Sequence, residues 1–314
     1  MRRLLLTRLL SVVPMLFFVS LFTFLLVRLT ATDPVAQILG QSASNEDRAE
    51  YAHRLGLDRP LADQFLGWVG SALQGDLGNS LYTNLPVAES ISDRFGVTLS
   101  LALAGMLFAL VVGIPVGIAG ALRHGSRWDR LLTIVVSTGL AVPSIWLALL
   151  LSLVFAVTLR WFQVIGYTPF AESPLLWAWG LVLPAIALGI HTAAVIARQT
   201  RSAMIEVLHA RYIQALRARG LPQRRIVLLY ATKNALVPVL SVIAIQMSVL
   251  VGVSFVIERI FAIPGLGTLL IDSVVRADFP VLQGTVVVVA FVVLVVNLLT
   301  DIAYGVINPK VRPQ

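Results

Sequence analysis

The chain has 314 residues, 58% of them hydrophobic and only 13% charged, with a formal net charge of +8 and no cysteine. That balance excludes an ordinary soluble domain and points to a polytopic membrane protein. The missing thiols exclude disulfides and thiolate metal sites and leave the redox compartment open.

Six apolar runs are each long enough, at about 1.5 Å per residue of helix, to cross a hydrocarbon core of about 30 Å. They fall at 9–29, 98–122, 131–159, 177–197, 235–257 and 281–304. The expected fold is therefore all-α, with six transmembrane helices. Its divisions are a tail and first span over 1–30, an external helical segment over 31–97, a five-helix core over 98–304, and a tail over 305–314. The first run starts Met1-Arg-Arg and ends near Thr30-Ala31-Thr32, which loosely resembles a cleavage site. Its length and the five runs that follow favour a retained span over a cleaved leader. In the second block, Leu61, Phe65, Trp68, Val69 and Ala72 mark an amphipathic helix. Gly75-Asp-Leu-Gly78-Asn79 is a turn cluster. Pro86, after Asn84 and Leu85, suits a first helical residue, and Val87, Ile91 and Phe95 form the next apolar stripe. This block is either a cap on the outer ends of the spans, a platform for an external delivery protein, or a plug over a pore. The third run is long enough to tilt or overrun the bilayer. Pro14, Pro115, Pro143, Pro184 and Pro238 place one proline in each of the first five runs, where each frees a carbonyl and permits a kink.

The most telling segment lies between the fourth and fifth runs, over 198–233. Met204, Leu208, Tyr212 and Leu216 fall four apart, along one face of a helix with Ile205 beside them. Gly220 followed by Pro222 is a helix stop. A second short helix is expected next, with Ile226, Leu229 and Tyr230 on one side and Arg224 and Arg225 on another. A short helix–turn–helix held at a membrane surface suits docking into a partner; an amphipathic helix lying on the lipid is the plainer alternative.

Orientation follows from the cations. With the N-terminus inside, 16 of the 24 basic residues share that side: Arg2, Arg3, Arg8, Arg123, Arg127, Arg130, eight from Arg198 to Lys233, Lys310 and Arg312. Asp129 and Glu206 are the only acids in those loops, whereas 31–97 carries nine acids and four arginines. Both termini are therefore expected in the cytoplasm. Insertion explains the basic loop, so no nucleic-acid partner is expected.

No catalytic machinery is visible. Lys233 and Lys310 are the only lysines and neither follows a glycine, so there is no phosphate-binding Gly-Lys-Ser/Thr loop. Gly265-Leu-Gly267 reads as a turn after Pro264. The four histidines are scattered, so no metal site is expected, and His191, within a span, reads as an interhelical hydrogen bond. Arg28, Glu258 and Asp301 lie near span ends, where snorkelling is the ordinary reading. Gln246 in the fifth run and Asn297 in the sixth are lone amides of the kind that join helices. Gln246 and Ser248 are the candidates for a translocation path.

Motifs along the whole chain resemble the integral-membrane permease subunits of ATP-binding-cassette importers of the dipeptide, oligopeptide and nickel group. They are Asp33-Pro34, Leu55-Gly-Leu-Asp-Arg-Pro60, Gly75-Asp-Leu-Gly78, Ala141-Val-Pro-Ser-Ile-Trp146, Arg211-Tyr-Ile-Gln-Ala-Leu-Arg-Ala-Arg-Gly220-Leu, Asn234-Ala-Leu-Val-Pro238, Phe261-Ala-Ile-Pro-Gly-Leu-Gly267, and Asp301 with Asn308-Pro309. Each is weak alone; in this order they are specific.

The resemblance implies a bacterial inner-membrane protein that forms half of a translocation pore. Its partners would be a second related permease, two cytoplasmic ATPases carrying ATP and magnesium, and an external substrate-binding protein. No cofactor is expected on this chain itself. Tyr212, Gln214, Ala215, Leu216, Arg217, Arg219, Gly220 and Leu221 then become the ATPase-coupling residues. The family's Glu-Ala-Ala pattern appears as Gln214-Ala215-Leu216, so the glutamate is absent. Pro238 also stands farther from Gly220 than the general pattern has it. Short peptides are the expected substrates, with nickel chelates or glutathione-like compounds as alternatives. A secondary transporter would need ionisable groups near the midplane, and none of the acids is placed there. A membrane scaffold that moves nothing is the remaining alternative.

Overall fold

A computed structural model of the chain describes residues 2–29, 35, 39, 44–54, 56, 58–163 and 166–307. Asp33-Pro34, Asn308-Pro309 and the side chains of Arg28 and Asp301 lie outside the described residues. Among those described the chain is all-α, with a single isolated β-bridge between Asn79 and Pro86.

Among the described residues eleven helices follow in order: α1 Arg2–Leu29, α2 Asn45–Arg54, α3 Leu61–Leu73, α4 Val87–Leu122, α5 Arg127–Ala141 and α6 Ser144–Thr158. They continue with α7 Pro174–Leu208, α8 Arg211–Ala218, α9 Gln223–Ile260, α10 Leu266–Val275 and α11 Phe279–Ile307. Among the described residues, α4, α7, α9 and α11 are long and apolar enough to cross a bilayer, and α5 with α6 makes a fifth candidate. α1 holds a shorter apolar stretch, Val12–Leu26.

The third run is not one helix. α5 and α6 meet at a 96° bend. Val142 is pushed to an extended backbone (φ −77°, ψ 121°) by the ring of Pro143 after it, which disfavours the helical region for the preceding residue. Pro14, Pro115, Pro184 and Pro238 instead lie inside continuous helices. The stripe at Val87, Ile91 and Phe95 and the second run are likewise one helix of 36 residues, beginning one residue after Pro86. Gly265 is the N-terminal cap of α10 rather than a turn of its own.

The residues form two compact units, one from Thr98–Ile263 with the chain beyond Val295, the other from Arg2–Val97 with Pro264–Leu294. In the first, α7 packs against α9, α5 and α6. Backbone comes close to backbone between α4 and α7. A Cβ added at Gly113 would stand 2.6 Å from the Ala193 carbonyl oxygen, and one at Gly117 2.6 Å from that of Ala197. A Cβ at Gly189 would meet the Gly105 oxygen at 2.5 Å. Only glycine fits such a seam, the small-residue packing expected where lipid provides no hydrophobic drive between helices. Beyond it, Asp129 of α5 is buried and takes two bonds from Arg201 of α7, from Nε (2.7 Å) and Nη2 (2.8 Å). The same carboxylate accepts from the Gly125 amide at 2.9 Å, and the His124 ring lies 3.2 Å away.

Glu258 does not snorkel. It is completely buried at the end of α9, and its carboxylate accepts from the Thr98 hydroxyl at 2.7 Å. His191 is half-buried in α7, and its ring makes no hydrogen bond among the described residues.

In the second unit α3 presents Phe65 to the core, with its ring 5.7 Å from Phe17 and 5.4 Å from Phe24. Leu61, at the other end of the expected stripe, is exposed. Gly75 and Gly78 both adopt positive φ, as the turn reading requires. Asp278 is buried and accepts from the Ser80 hydroxyl and from the Leu81 amide at 3.2 Å, locking the segment before α4.

Two outcomes test this packing. Gly117→Val should lower the melting temperature of the detergent-solubilised chain by an amount equivalent to about 1–3 kcal/mol of overpacking. Gly252→Ala, whose new Cβ meets nothing within 4 Å, should not lower it and gains up to about 1 kcal/mol from helix propensity. Arg201→Met strands the buried Asp129 carboxylate; because Arg201 is itself 29% exposed, a loss near the lower end of the ~3–5 kcal/mol for a broken buried pair is expected. The double variant Asp129→Asn with Arg201→Met should recover part of that loss.

Candidate functional site

The segment singled out by sequence is built on a buried cluster. Ala203, Met204 and Leu208 of α7, Ile213 of α8, and Ile226, Val227, Ala231 and Ala235 of α9 pack together with Ala121 of α4. Ile205, Leu216 and Leu221 are partly buried against it. α8 is thus a short helix standing on the joined ends of two long ones.

The expected single face through Met204, Leu208, Tyr212 and Leu216 is interrupted. α7 ends at Leu208, and Ala210 is extended (φ −65°, ψ 145°) before α8 begins at Arg211. The His209 ring closes the end of α7 by donating from Nδ1 to the Ile205 carbonyl at 2.7 Å. The break shifts the helical register, so Ile213, not Tyr212, is the fully buried residue of α8, and Tyr212 is 42% exposed.

The stop at Gly220 is as the turn chemistry requires. Gly220 sits at φ +76°. Its amide donates to the Arg217 carbonyl at 2.9 Å, and the Leu221 amide donates to that of Leu216 at 3.3 Å. This pair of bonds is a Schellman closure, with Leu216 and Leu221 supplying its hydrophobic contact on the cluster. Pro222 then caps α9, so the second short helix is the first turns of a helix that runs unbroken to Ile260. Over Ile226–Ala231 that helix widens to π geometry. Its buried face there is Ile226, Val227 and Ala231, while Leu229 and Tyr230 are exposed, which corrects the expected Ile226–Leu229–Tyr230 side.

Six of the eight predicted coupling residues, Tyr212, Gln214, Ala215, Arg217, Arg219 and Gly220, are exposed together; Leu216 and Leu221 face inward. Arg211, Arg224 and Arg225 add further exposed cations. The Tyr212 hydroxyl accepts from Asn234 Nδ2 at 2.9 Å, and the same amide donates to the Tyr230 carbonyl at 3.0 Å. Asn234 therefore ties the exposed face of α8 to α9, a role that its place in the Asn234–Pro238 motif did not reveal. Gln214, at the family's glutamate position, reaches only the His209 carbonyl at 3.5 Å. What the arrangement offers is a rigid, basic knob with a small residue, Ala215, and a backbone turn at its crest. No group on it is arranged for bond-making chemistry.

Of the two path candidates, Gln246 is buried within α9, with its Oε1 lacking a hydrogen-bond partner among the described residues. Ser248 donates to Asn297 of α11 at 2.8 Å, so the Asn297 amide joins two helices as lone amides do.

Residues 113–313 match the family described as "Binding-protein-dependent transport system inner membrane component", and residues 1–102 match its N-terminal companion. The chain belongs to this family. The permease is 41% identical over 323 residues to the di/tripeptide transport system permease protein DppB of Pseudomonas aeruginosa (strain UCBPP-PA14), covering 96% of each chain. It is 37% identical over 342 residues to the dipeptide transport system permease protein DppB of Escherichia coli (strain K12), covering 99% of each. An inward-facing structure of the MetNI methionine ABC transporter superposes with a TM-score of 0.58 at 20% identity, over 69% of this chain and 96% of that one. That likeness is one of fold.

Ile213→Ala empties the anchor of α8. Amide hydrogen exchange over 211–221 should accelerate, reflecting a local loss of about 2–5 kcal/mol. Tyr212→Phe, which removes only the bond from Asn234, should change exchange by no more than the equivalent of about 0.5–1.5 kcal/mol.

Proposed function

We propose that the permease is one half of the translocation pore of an ATP-driven importer of dipeptides and short oligopeptides. It pairs with a second homologous permease, two cytoplasmic ATPase subunits and an external substrate-binding protein. The single observation that carries this reading is α8: a short basic helix presented at the junction of two long apolar ones and anchored there by Ile213 and the Gly220 closure. Family membership and the peptide permeases it resembles support the substrate class. The chain crosses the inner membrane six times, with α1 as the first span and α5–α6 together as the third. Both termini face the cytoplasm, on the strength of the cation distribution. Residues 31–97 lie outside and receive the binding protein.

The ATPases bind ATP and magnesium; this chain, lacking a phosphate-binding loop, hydrolyses nothing. Tyr212, Gln214, Ala215, Arg217, Arg219 and Gly220 seat in a cleft on the ATPase, with the arginines facing carboxylates there. Closure of the ATPase pair moves α8 with the ends of α7 and α9, which a packed cluster transmits as one body, and the cavity opens outward; hydrolysis resets it. Gln246 and Ser248 contribute to the path.

Peptide-stimulated ATP hydrolysis by the reconstituted complex is the decisive measurement. Gly220→Arg forces a bulky residue into a left-handed turn at the crest and should lower stimulated turnover and uptake by about tenfold or more, a coupling loss of the order of 1.4 kcal/mol. Gly220→Asn, which tolerates that conformation, should retain most of both. Unchanged turnover in the arginine variant would remove α8 from the coupling contact. Because the chain has no cysteine, Gln246→Cys and Ser248→Cys each give a unique label site. Protection of both from external reagent in every nucleotide state would take them off the path.

A further inference from the structure

Within the unit that holds Thr98–Ile263, α4, α5 and α7 border an apolar cleft of about 370 Å³. Phe108 and Gly113 of α4, Ile134 and Val135 of α5, and Ile190 and Ala194 of α7 are among its walls. Thr138 is its only polar side chain, and that hydroxyl already donates to the Ile134 carbonyl at 3.0 Å. The lining side chains thus offer no free hydrogen bond, so a peptide or any other polar ligand would be desolvated there without return. Hydrocarbon fits. The α5 wall continues beyond the cleft as a stripe of one helical face, Arg127, Arg130, Ile134 and Thr138, spaced three and four apart. Arg127 and Arg130 are exposed and make no ion pair among the described residues. Beside them Trp128 is 57% exposed, with the Arg123 guanidinium 5.6 Å from its ring centre. Tryptophan and arginine at one level of an apolar helix mark a membrane–water boundary. The stripe therefore runs from cations at headgroup depth to a dry cleft one turn further in.

We infer that this stripe and cleft bind one anionic phospholipid. Its phosphate accepts from the Arg127 and Arg130 guanidinium groups, and one acyl chain lies along Ile134 and Val135 toward Gly113 and Ala194. An apolar helix of a second permease would fill the cleft as well but would bring no anion to the two arginines, which is why the lipid is the better occupant. The inference needs the chain to be a membrane protein; it does not need the importer reading. Arg198 opens on a separate recess of about 100 Å³ at the other flank of α5, beside Thr133 and Ser137, and so serves as a control cation on the same basic side.

The full chain in detergent is titrated with dioleoylphosphatidylglycerol or dioleoylphosphatidylcholine and followed by native mass spectrometry. The first phosphatidylglycerol should bind about fivefold or more tightly than phosphatidylcholine. Arg127→Gln and Arg130→Gln should each weaken phosphatidylglycerol binding about fivefold, with the melting temperature unchanged, whereas the lysine variants at both positions and Arg198→Gln should bind as the native chain does. Because the chain has no cysteine, Thr138→Cys supplies a single thiol in the cleft. Phosphatidylglycerol should block its reaction with a maleimide, and glycerol phosphate, which has the anion without the tail, should neither block it nor displace the lipid. Equal affinity for the two lipids, an equal loss in Arg198→Gln, or a thiol that stays reactive with phosphatidylglycerol bound overturns the inference. So does competition by glycerol phosphate, which would leave a phosphate site without a tail. A thiol already protected without lipid, in a chain that runs as a dimer, would give the cleft to a second copy instead.

Discussion

In the larger unit, α4 and α7 meet backbone to backbone. Gly189, Ala193, Ala197 and Arg201 stand four residues apart on α7, one per turn. The first three meet α4 through Gly105, Gly113 and Gly117, where added side-chain carbon would fall within 2.6 Å of carbonyl oxygen. Two helices that touch backbone to backbone cannot slide without a clash, so the depth and rotation of α7 are set there. Arg201 continues the same stripe one turn later and finds Asp129. One turn further on, Met204 and then Leu208 enter the cluster beneath α8. The position of the exposed knob is thus inherited, turn by turn, from a row of residues with almost no side chain.

The knob itself is fixed by three separate constraints of different kinds. Ile213 supplies burial, the Gly220 closure supplies backbone geometry, and the Asn234 amide supplies a polar tie between Tyr212 and α9. None depends on the exposed arginines. This separation leaves the surface of α8 free to vary while its base stays fixed.

Composition and punctuation carried most of what sequence could reveal. Apolar length marked the long helices, and Gly220-Leu-Pro222 marked the end of α8, because a positive φ and a missing amide leave glycine and proline few competitors. The break at His209–Ala210 had no such residue, and a four-residue period therefore runs through it in the sequence. Proline was ambiguous for the converse reason: of five in the apolar runs, Pro143 alone breaks its helix. The buried polar contacts were out of reach because their partners are remote, Thr98 lying 160 positions from Glu258 and Asp129 72 from Arg201. Ile213 had a readable signal, lying three before Leu216 and eight before Leu221, but only for a helix that starts at Arg211.

The bend between α5 and α6 has a further bearing on what surrounds the protein. Where a helix ends, its last carbonyls lose their intrahelical donors, and here Ala141, the last residue of α5, is exposed on the surface of the single chain. Hydrocarbon offers no hydrogen bonds, so non-helical backbone at membrane depth persists only against protein or beside water. A chain dispersed alone in lipid would have to leave those groups unsolvated or let the bilayer deform around them. With α5 and α6 taken as one span, the corner at Pro143 is a place for water or protein in an otherwise apolar perimeter.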